Sequence, residues 1–264
     1  MKQTILTVNQ SELLEKLIVK YGQIVTAQQI YGEVEGTVDQ QHAKKLVTKL
    51  VGNGWLIRIK RGLYVISDFS NRGFLSLPPY IVANLLVKDS YVSFELALSY
   101  YGMFDQLTNK VISITKNRYK TAQLGHTEYS FVNCKERFFF GWQAVLIDGH
   151  TTHIATAEKA IIDMVQFHRS TYIIDLVIEM LQEHLSELDL SKFCDYLSKM
   201  SSTTIRIFGF IFDLLAIDSS RLYQLIKDKR GTYWMLADDK KFDAKWRLYY
   251  DEYFDKYQSN KMSL

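Results

Sequence analysis

The sequence predicts an α+β protein of two domains, and three observations lead to that prediction. Residues 1–68 show three helical patterns followed by the alternation of a β-hairpin, whereas residues 69–264 mix strand patterns with helical ones. Both prolines lie within the polar segment 68–79, which we take as the domain boundary. With 264 residues and an apolar fraction of 47%, each domain can bury its own core.

Each of the three helices expected in residues 1–68 has a start signal. The signal is a Thr or Asn followed three residues later by Glu or Gln, which is the pattern of a capping box. The pairs are Asn9 with Glu12, Thr26 with Gln29, and Thr37 with Gln40. The first helix is expected to end at Tyr21-Gly22 and the second at Val34.

Residues 40–67 are the most informative segment, because they carry six basic side chains and no acidic one. Apolar residues at helical spacing in the first half predict an amphipathic helix, which Gly52 and Gly54 would end. Residues 55–59 and 63–67 then alternate as two strands around a basic turn that contains Gly62. The segment therefore predicts a helix followed directly by a hairpin.

A polar helix followed by a basic-tipped hairpin is the arrangement of a winged helix-turn-helix, whose recognition helix enters the major groove of DNA. DNA binding is therefore the leading hypothesis for residues 1–68. The alternative is an ordinary surface helix with a solvated polar face. In the DNA-binding interpretation, base contacts come from Gln40, Gln41 and Lys44, since Gln pairs with adenine and Lys with guanine. Phosphate and hairpin contacts come from Lys45, Thr48, Lys49, Arg58, Lys60 and Arg61.

The charge distribution supports this interpretation more than the total charge does. The net charge is +3, and residues 1–68 hold nine Lys or Arg against six Asp or Glu, so the whole excess lies there. Cys134 and Cys194 have no companion at metal-site or redox-motif spacing, which favours a reduced, cytoplasmic chain. No apolar run predicts a signal peptide or a transmembrane helix, so we expect no membrane partner.

Residues 69–264 are expected to form a larger mixed α/β domain. It is β-rich to about residue 155 and helical afterwards, ending in a helical bundle-like region. Strand patterns occupy residues 110–115, 127–133 and 136–147, and Thr156 is expected to start a helix over residues 157–167. The aromatic tail 243–257 predicts a last amphipathic strand or helix.

Catalytic interpretations find little support in the sequence. His150 and His153 lie three residues apart near Asp148, but no second cluster completes a metal site. Neither a nucleophile elbow, nor a P-loop, nor a dinucleotide-binding glycine motif is present. We therefore expect no catalytic residues, no metal and no cofactor.

Three segments together resemble the AbiEi family of antitoxins and transcriptional regulators of bacterial type IV toxin–antitoxin systems. They are LIRIKRGLY at 56–64, YVSFELALSYYGM at 91–103 and IATAEKAIID at 154–163. The first is similar to the family's RGxY wing, and the third to its ATPEKALLD segment. Ala157 stands where proline is usual, and Glu95 where a small residue is common.

The resemblance implies an antitoxin that represses its own operon and counteracts a nucleotidyltransferase-type toxin, in phage defence by abortive infection. The implied partners are double-stranded operator DNA with inverted repeats, a homodimer on that DNA, and the cognate toxin, engaged directly or through a shared target. The competing hypothesis is a winged-helix transcription factor without a toxin partner. Its C-terminal domain would sense a ligand or only dimerise.

Two features of residues 69–264 have plain structural interpretations. Lys159 and Asp163 are four apart in the expected helix, a pair that contributes only a few tenths of a kcal/mol on a helix surface. The aromatic residues, among them Phe138, Trp142 and Tyr249, are expected first in the core. Any that are exposed would form a docking patch for a protein partner.

Overall fold

The computed structural model describes residues 5–36, 39–68, 70 and 72–258, and its elements form a mixed α+β fold. The chain divides into two compact units. The first, unit 1, comprises residues 1–88 with 121–129, and the second, unit 2, comprises residues 89–120 with 130–264. No described helix is both long enough and apolar enough to cross a membrane.

Helices and short strands alternate in unit 1. Its elements are α1 (Val8–Tyr21), β1 (Ile24–Thr26), α2 (Ala27–Val34), α3 (Gln40–Gly52), β2 (Leu56–Lys60), β3 (Leu63–Ile66) and α4 (Pro79–Leu86). The three strands form an antiparallel sheet in the order β1-β3-β2. The helices cover an apolar core that includes Leu17, Ile30, Leu50 and Trp55.

The starts of the three N-terminal helices agree only in part with the expected caps. Thr26 caps α2 as predicted, and its hydroxyl accepts a hydrogen bond from the Gln29 amide at 3.2 Å. The cap of α1 is Thr7 with Gln10, so the predicted pair of Asn9 and Glu12 is wrong. Thr37 lies outside the described residues, and Asp39 caps α3. The sequence contained two adjacent capping patterns at α1, and the earlier one is used.

Unit 1 extends to Lys88, beyond the boundary that the sequence placed near residue 68. Helix α4 follows both prolines, with Pro79 in its first turn, and packs against β2. The Lys60 ammonium donates a hydrogen bond to the Leu86 carbonyl oxygen at 3.2 Å. The two prolines therefore start a helix of unit 1 instead of forming a linker, since proline is well tolerated in a first helical turn.

A mixed sheet and a group of helices make up most of unit 2. Its elements to residue 155 are β4 (Ser90–Val92), α5 (Phe94–Tyr100), β5 (Lys110–Thr115), β6 (Ala122–Leu124), β7 (Thr127–Asn133), β8 (Trp142–Ile147) and β9 (His150–Ala155). Of these, β6 and the first part of β7 are counted with unit 1. The strand order is β6-β7-β5-β4-β9-β8. Strands β4 and β9 are parallel neighbours in it, with Val92 opposite Ile154.

The helices of unit 2 follow the sheet, with α6 at their centre. They are α6 (Ala157–Phe167), α7 (Thr171–His184), α8 (Leu190–Ser198), α9 (Ser202–Leu214) and α10 (Ser220–Ile226). Helix α6 packs against α5, α7, α8, α9 and β9. Every residue from Ala157 to Val165 is buried, which explains why apolar residues surround its charged ones in the sequence.

The prediction that the chain is helical after about residue 155 holds only as far as α10, and a strand at Leu248–Tyr250 lies within the tail 243–257, for which a strand or a helix was expected. A second small sheet of strands β10 (Tyr233–Trp234), β11 (Lys241–Asp243) and β12 (Leu248–Tyr250) follows α10, in the order β10-β12-β11. These strands have two or three residues each, too few for the alternation of a strand to show in the sequence. A final 3-10 turn follows, and the Tyr257 hydroxyl donates to Asp175 of α7 at 2.7 Å.

Candidate nucleic-acid interface

The described geometry brings the nine residues predicted to contact DNA onto the solvent side of α3 and of the β2–β3 hairpin. All nine are exposed: Gln40, Gln41, Lys44, Lys45, Thr48, Lys49, Arg58, Lys60 and Arg61. On the opposite side of the helix, Ala43, Val47 and Leu50 are buried in the core of unit 1. The apolar stripe predicted from the sequence therefore separates a packed side from a polar, solvated side.

The polar side of α3 has few internal partners. The Thr48 hydroxyl donates to the Lys44 carbonyl oxygen at 2.9 Å, as threonine in a helix often does. Within the described residues, neither Lys44, Lys45 nor Lys49 makes an ion pair. These ammonium groups are therefore available to an anionic ligand.

One carboxylate lies at the start of this face. Asp39 accepts a hydrogen bond from the His42 amide at 2.8 Å and contacts the His42 ring nitrogen Nδ1 at 2.9 Å. The backbone hydrogen bond from His42, followed by the contact with its ring, lowers the pKa of Asp39 below its ordinary value. The residue thus caps α3 and places a negative charge beside its first turn.

Strand β2 of the hairpin contains a β-bulge between two of its basic residues. Strands β2 and β3 pair Arg58 with Tyr64 and Lys60 with Leu63, so Ile59 is an extra residue in the ladder. Such a bulge bends the strand and increases its twist. Ile59 is buried, whereas Arg58 and Lys60 on either side are exposed. The alternation of the strand thus continues through the bulge, and both cations face solvent.

The tip of the hairpin is held in place by backbone geometry. Gly62 has φ +76°, a conformation that favours glycine, and its carbonyl oxygen accepts a hydrogen bond from the Ala27 amide at 2.9 Å. Arg61 is exposed at this tip. The start of α2 thus fixes the position from which Arg61 projects.

The two aromatic residues of this segment, Trp55 and Tyr64, are buried. Trp55 is 3% exposed and Tyr64 9% exposed, and both belong to the core of unit 1. Tyr64 therefore supports the hairpin from below.

In unit 2, four polar side chains meet in a cluster that no solvent reaches. The Lys159 ammonium contacts Asp163 and donates to the Tyr91 hydroxyl oxygen at 2.9 Å. The Tyr91 hydroxyl donates to Asp163 at 3.1 Å, and the Ser93 hydroxyl donates to it at 2.9 Å. All four residues are fully buried. We call these four residues the buried cluster.

The buried cluster corrects the expectation that Lys159 and Asp163 form a weak surface pair. Burial raises the pKa of Asp163, and the adjacent ammonium opposes that shift. Burial, with the charge of Asp163 as a second cause, raises the pKa of Tyr91 well above its ordinary value. The Lys159 ammonium also lies 5.0 Å from the centre of the Phe140 ring. Helical spacing indicated the pair correctly, but nothing in it indicated Tyr91 and Ser93 as partners.

Two of the segments that carried the family resemblance meet in this cluster. Tyr91 and Ser93 come from segment 91–103, and Lys159 and Asp163 from segment 154–163. They connect β4 to α6 through side-chain hydrogen bonds. The two segments are therefore parts of one structural feature of unit 2.

The other candidate groups of the sequence are not assembled into a reactive site. Within the part of the chain that the structure describes, no group of three or more His, Cys, Asp or Glu side chains is placed to hold a metal ion. His150 and His153 lie on β9, where Trp142 packs on the His153 ring at 4.6 Å between centroids. Burial raises the pKa of the Cys134 thiol to about 11, which makes it a poor nucleophile near neutral pH.

The aromatic residues divide between core and surface. Phe138 is 6% exposed, whereas Trp142 is 37% exposed. Trp234 and Phe242, on the small C-terminal sheet, are 47% and 46% exposed. The exposure of Trp234 and Phe242 could not be predicted from the sequence, because strands of two or three residues give too short a pattern to show which side chains face solvent.

Comparisons with known proteins find a likeness to a solved structure. No protein-family model matches the sequence, and no curated protein matches it. The crystal structure of the RV2827C protein from Mycobacterium tuberculosis is similar, with a TM-score of 0.61 and 11% sequence identity. The match covers 90% of this chain and 89% of that chain. At that identity the similarity is one of fold.

Proposed function

We propose that unit 1 is a winged helix-turn-helix that binds operator DNA, with α3 as the recognition helix and the β2–β3 hairpin as the wing. The observation that carries the proposal is the exposed face of α3 and the hairpin, on which nine polar or basic side chains project while the apolar residues of the helix are packed on its other side. A helix with a packed apolar side and an unpaired basic side suits the major groove of DNA.

The residues have separate roles in this proposal. Gln40, Gln41 and Lys44 lie in the first half of α3, from which side chains reach base edges in helix-turn-helix proteins. Lys45, Thr48 and Lys49 lie further along the helix and contact phosphates, which fixes the register. Arg61 at the fixed hairpin tip enters a narrow minor groove, where arginine is favoured. Two copies bind an inverted repeat.

We further propose that the whole chain is the antitoxin of a type IV toxin–antitoxin system. It represses its own operon through unit 1 and counteracts a nucleotidyltransferase-type toxin through unit 2. The support is the resemblance of three segments to the AbiEi family, together with the meeting of two of them in the buried cluster. The contact between segments 91–103 and 154–163 makes their joint occurrence a more specific resemblance than separate motifs would be.

The DNA-binding proposal is tested by titrating the full chain against the DNA upstream of its own gene. With roughly four to six phosphate contacts per protomer, log K for one protomer falls against log salt with a slope of roughly −4 to −5. The variant Lys44→Ala/Lys60→Ala/Arg61→Ala binds more weakly and with a shallower slope. Lys227→Ala, an exposed lysine of unit 2, is the control and binds as the unaltered protein does. A slope near zero would contradict the proposal.

The antitoxin proposal is tested by growth rescue with the full chain. The gene adjacent to this one is induced in a host cell, alone and together with the unaltered protein or with the DNA-face triple variant. Both proteins are expected to restore growth, while only the unaltered protein represses the operon. If the neighbour is harmless, or neither protein restores growth, the antitoxin proposal fails. The winged-helix transcription factor with a ligand-sensing or dimerising second domain then takes its place.

A further inference from the structure

The small C-terminal sheet of unit 2 presents an aromatic row to solvent. Trp234 of β10 lies opposite Tyr249 of β12, and Phe242 of β11 lies opposite Tyr249 from the other side. Each strand thus contributes one aromatic ring at the same level of the sheet. We call Trp234, Tyr249 and Phe242 the aromatic row.

Strand alternation explains why these three rings face outward. Successive side chains of a strand point to opposite faces, and the neighbours of Tyr249, Leu248 and Tyr250, are buried. Arg206 of α9 fills the inner side below β10, 4.6 Å from the centre of the Tyr233 ring. The inner face of the sheet is therefore occupied, and the aromatic row forms its outer face.

The rings are arranged as a stacking platform. Trp234 and Tyr249 are nearly parallel, with an interplanar angle of 17° and centroids 5.1 Å apart. Phe242 contacts Tyr249 at 5.0 Å between centroids. Strand β10 is the edge of the sheet, so Trp234 ends the stack, and it is 47% exposed. A further planar group can continue the stack at Trp234.

Cations lie around the aromatic row. Arg169 donates to the Trp234 carbonyl oxygen at 3.4 Å. Arg247 and Lys240 are exposed and precede β12 and β11, which run antiparallel, so the two residues lie on opposite sides of the row. The Arg247 Nε donates a hydrogen bond to the Gly231 carbonyl oxygen at 2.8 Å. Among the described residues, none of these three cations forms an ion pair. The nearby Asp251 accepts a hydrogen bond from the Tyr253 amide, which engages it as the cap of the last 3-10 turn.

We propose that the aromatic row binds single-stranded nucleic acid, with an unpaired base stacked on Trp234 and the backbone phosphates near Arg169, Arg247 and Lys240. Aromatic rings that face solvent beside cations are the features that single-strand binding surfaces share. A protein-docking patch would be favoured by aliphatic neighbours, and the cations here favour a phosphate chain. The inference does not depend on the winged helix, because all six residues belong to unit 2.

The test measures the fluorescence anisotropy of labelled oligouridine and oligothymidine of about twelve nucleotides with the full chain. Trp234→Ala weakens binding about tenfold, because stacking of one base is lost. Trp234→Phe keeps an aromatic face and retains most of the affinity. Binding of either oligonucleotide supports the proposal, and the ratio of the two affinities tells RNA from DNA as the preferred ligand.

Two controls separate this surface from others. Trp142→Ala removes a tryptophan that is 37% exposed in the other sheet of unit 2 and leaves oligonucleotide binding unchanged. The triple variant Lys44→Ala/Lys60→Ala/Arg61→Ala also leaves it unchanged, whatever its effect on operator DNA. The proposal is overturned if the unaltered protein binds neither oligonucleotide, or if Trp234→Ala binds as well as the unaltered protein. It is equally overturned if Trp234→Ala abolishes capture of the adjacent gene product while oligonucleotide binding persists.

Discussion

Helices α3 and α6 use the same charged residue in opposite ways. Both start at a side chain that accepts a backbone hydrogen bond: Asp39 accepts from the His42 amide in α3, and Thr156 accepts from the Lys159 amide in α6. Both carry lysines beside an apolar stripe. Yet Lys44 and Lys49 of α3 are exposed, whereas Lys159 of α6 is 0% exposed. The difference lies in the surroundings, since α3 packs on one side and α6 is covered by β9 and four other helices.

Burial decides whether the charge of a lysine is available to a ligand. A lysine in water keeps its hydration until a phosphate approaches, and its charge then contributes to binding. A lysine in the core has lost its hydration and is held by fixed partners. Its charge therefore stabilises the contact between β4 and α6. Charges on α3 are therefore expected to affect binding, and those on α6 stability. Substitutions on the two helices are therefore expected to separate an effect on DNA binding from an effect on stability.

The largest effect is expected from Lys159→Ala in the buried cluster. It leaves the Asp163 carboxyl buried without the ammonium, and breaking a buried pair in this way costs about 3–5 kcal/mol. The loss is measured as the change in free energy of unfolding in urea. Lys116→Ala is the matched control, because Lys116 pairs with Glu136 at 3.2 Å on the surface, where such pairs contribute less than about 1 kcal/mol.

Removing both charges tests the same point from the other direction. Lys159→Met with Asp163→Leu is expected to cost less than the sum of the two single substitutions, because no unpaired charge is left in the core. Equal losses for Lys159→Ala and Lys116→Ala would show that burial does not distinguish the two pairs.

A smaller loss of stability is expected from Gly141→Ala, because the added methyl group would overlap with the Lys159 side chain. A Cβ at this position would lie 2.9 Å from Cγ of Lys159, and the backbone has φ +75°. Overpacking and strain together predict a loss of about 2 kcal/mol. Gly149→Ala is the control: it has φ +77° but nothing within 4 Å of the added Cβ, so only the backbone strain applies. Thermal unfolding of both variants measures the difference.

The two helices also show what a sequence predicts well. The bounds of α6 follow from apolar spacing and a capping residue, both local features, and the predicted helix agrees with the structure. For α3 the apolar spacing was predicted, but the capping residue is Asp39. The exposure of the nine α3 and hairpin residues also followed from periodicity. Position along the chain, by contrast, does not tell how many elements will cover a helix. Lys159 and Lys44 therefore have the same local pattern and different burial.

Long-range contacts account for the other differences. Tyr91 and Asp163 are 72 residues apart, and no local pattern relates them. The small C-terminal sheet rests on an equally non-local contact, since Gly209 has no side chain and leaves room for the Trp246 ring. Strands of two or three residues held by such contacts carry little periodicity of their own. Local features thus predicted the helices, and the tertiary partners came only with the structure.

On the α3 side of the comparison, Lys60→Ala with Arg61→Ala is expected to change binding without changing stability. Both residues are exposed, and among the described residues Lys60 has the Leu86 carbonyl as its one hydrogen-bond partner. Affinity for operator DNA falls roughly tenfold, because Arg61 is lost from the minor groove, and the salt slope becomes shallower by about 1, because Lys60 is lost from a DNA phosphate. The melting temperature is expected to match that of the unaltered protein. A lower melting temperature would show that these two cations stabilise the fold, as the charges of the buried cluster do.

The smallest effect is expected at Asp39, which stabilises α3 as its cap and also places a charge beside the exposed face of that helix. Hydrogen bonds from His42 lower the pKa of this carboxyl, so its stabilising contribution is present above the unfolded pKa of about 3.9 and is lost as the pH falls through the folded value. Asp39→Asn keeps an oxygen that can cap α3 but cannot titrate. Melting temperatures of the variant and the unaltered protein are expected to differ near neutral pH and to converge at the acid end. Parallel curves over the whole range would mean that Asp39 stabilises α3 as a neutral acceptor does, and that its charge matters only for a ligand.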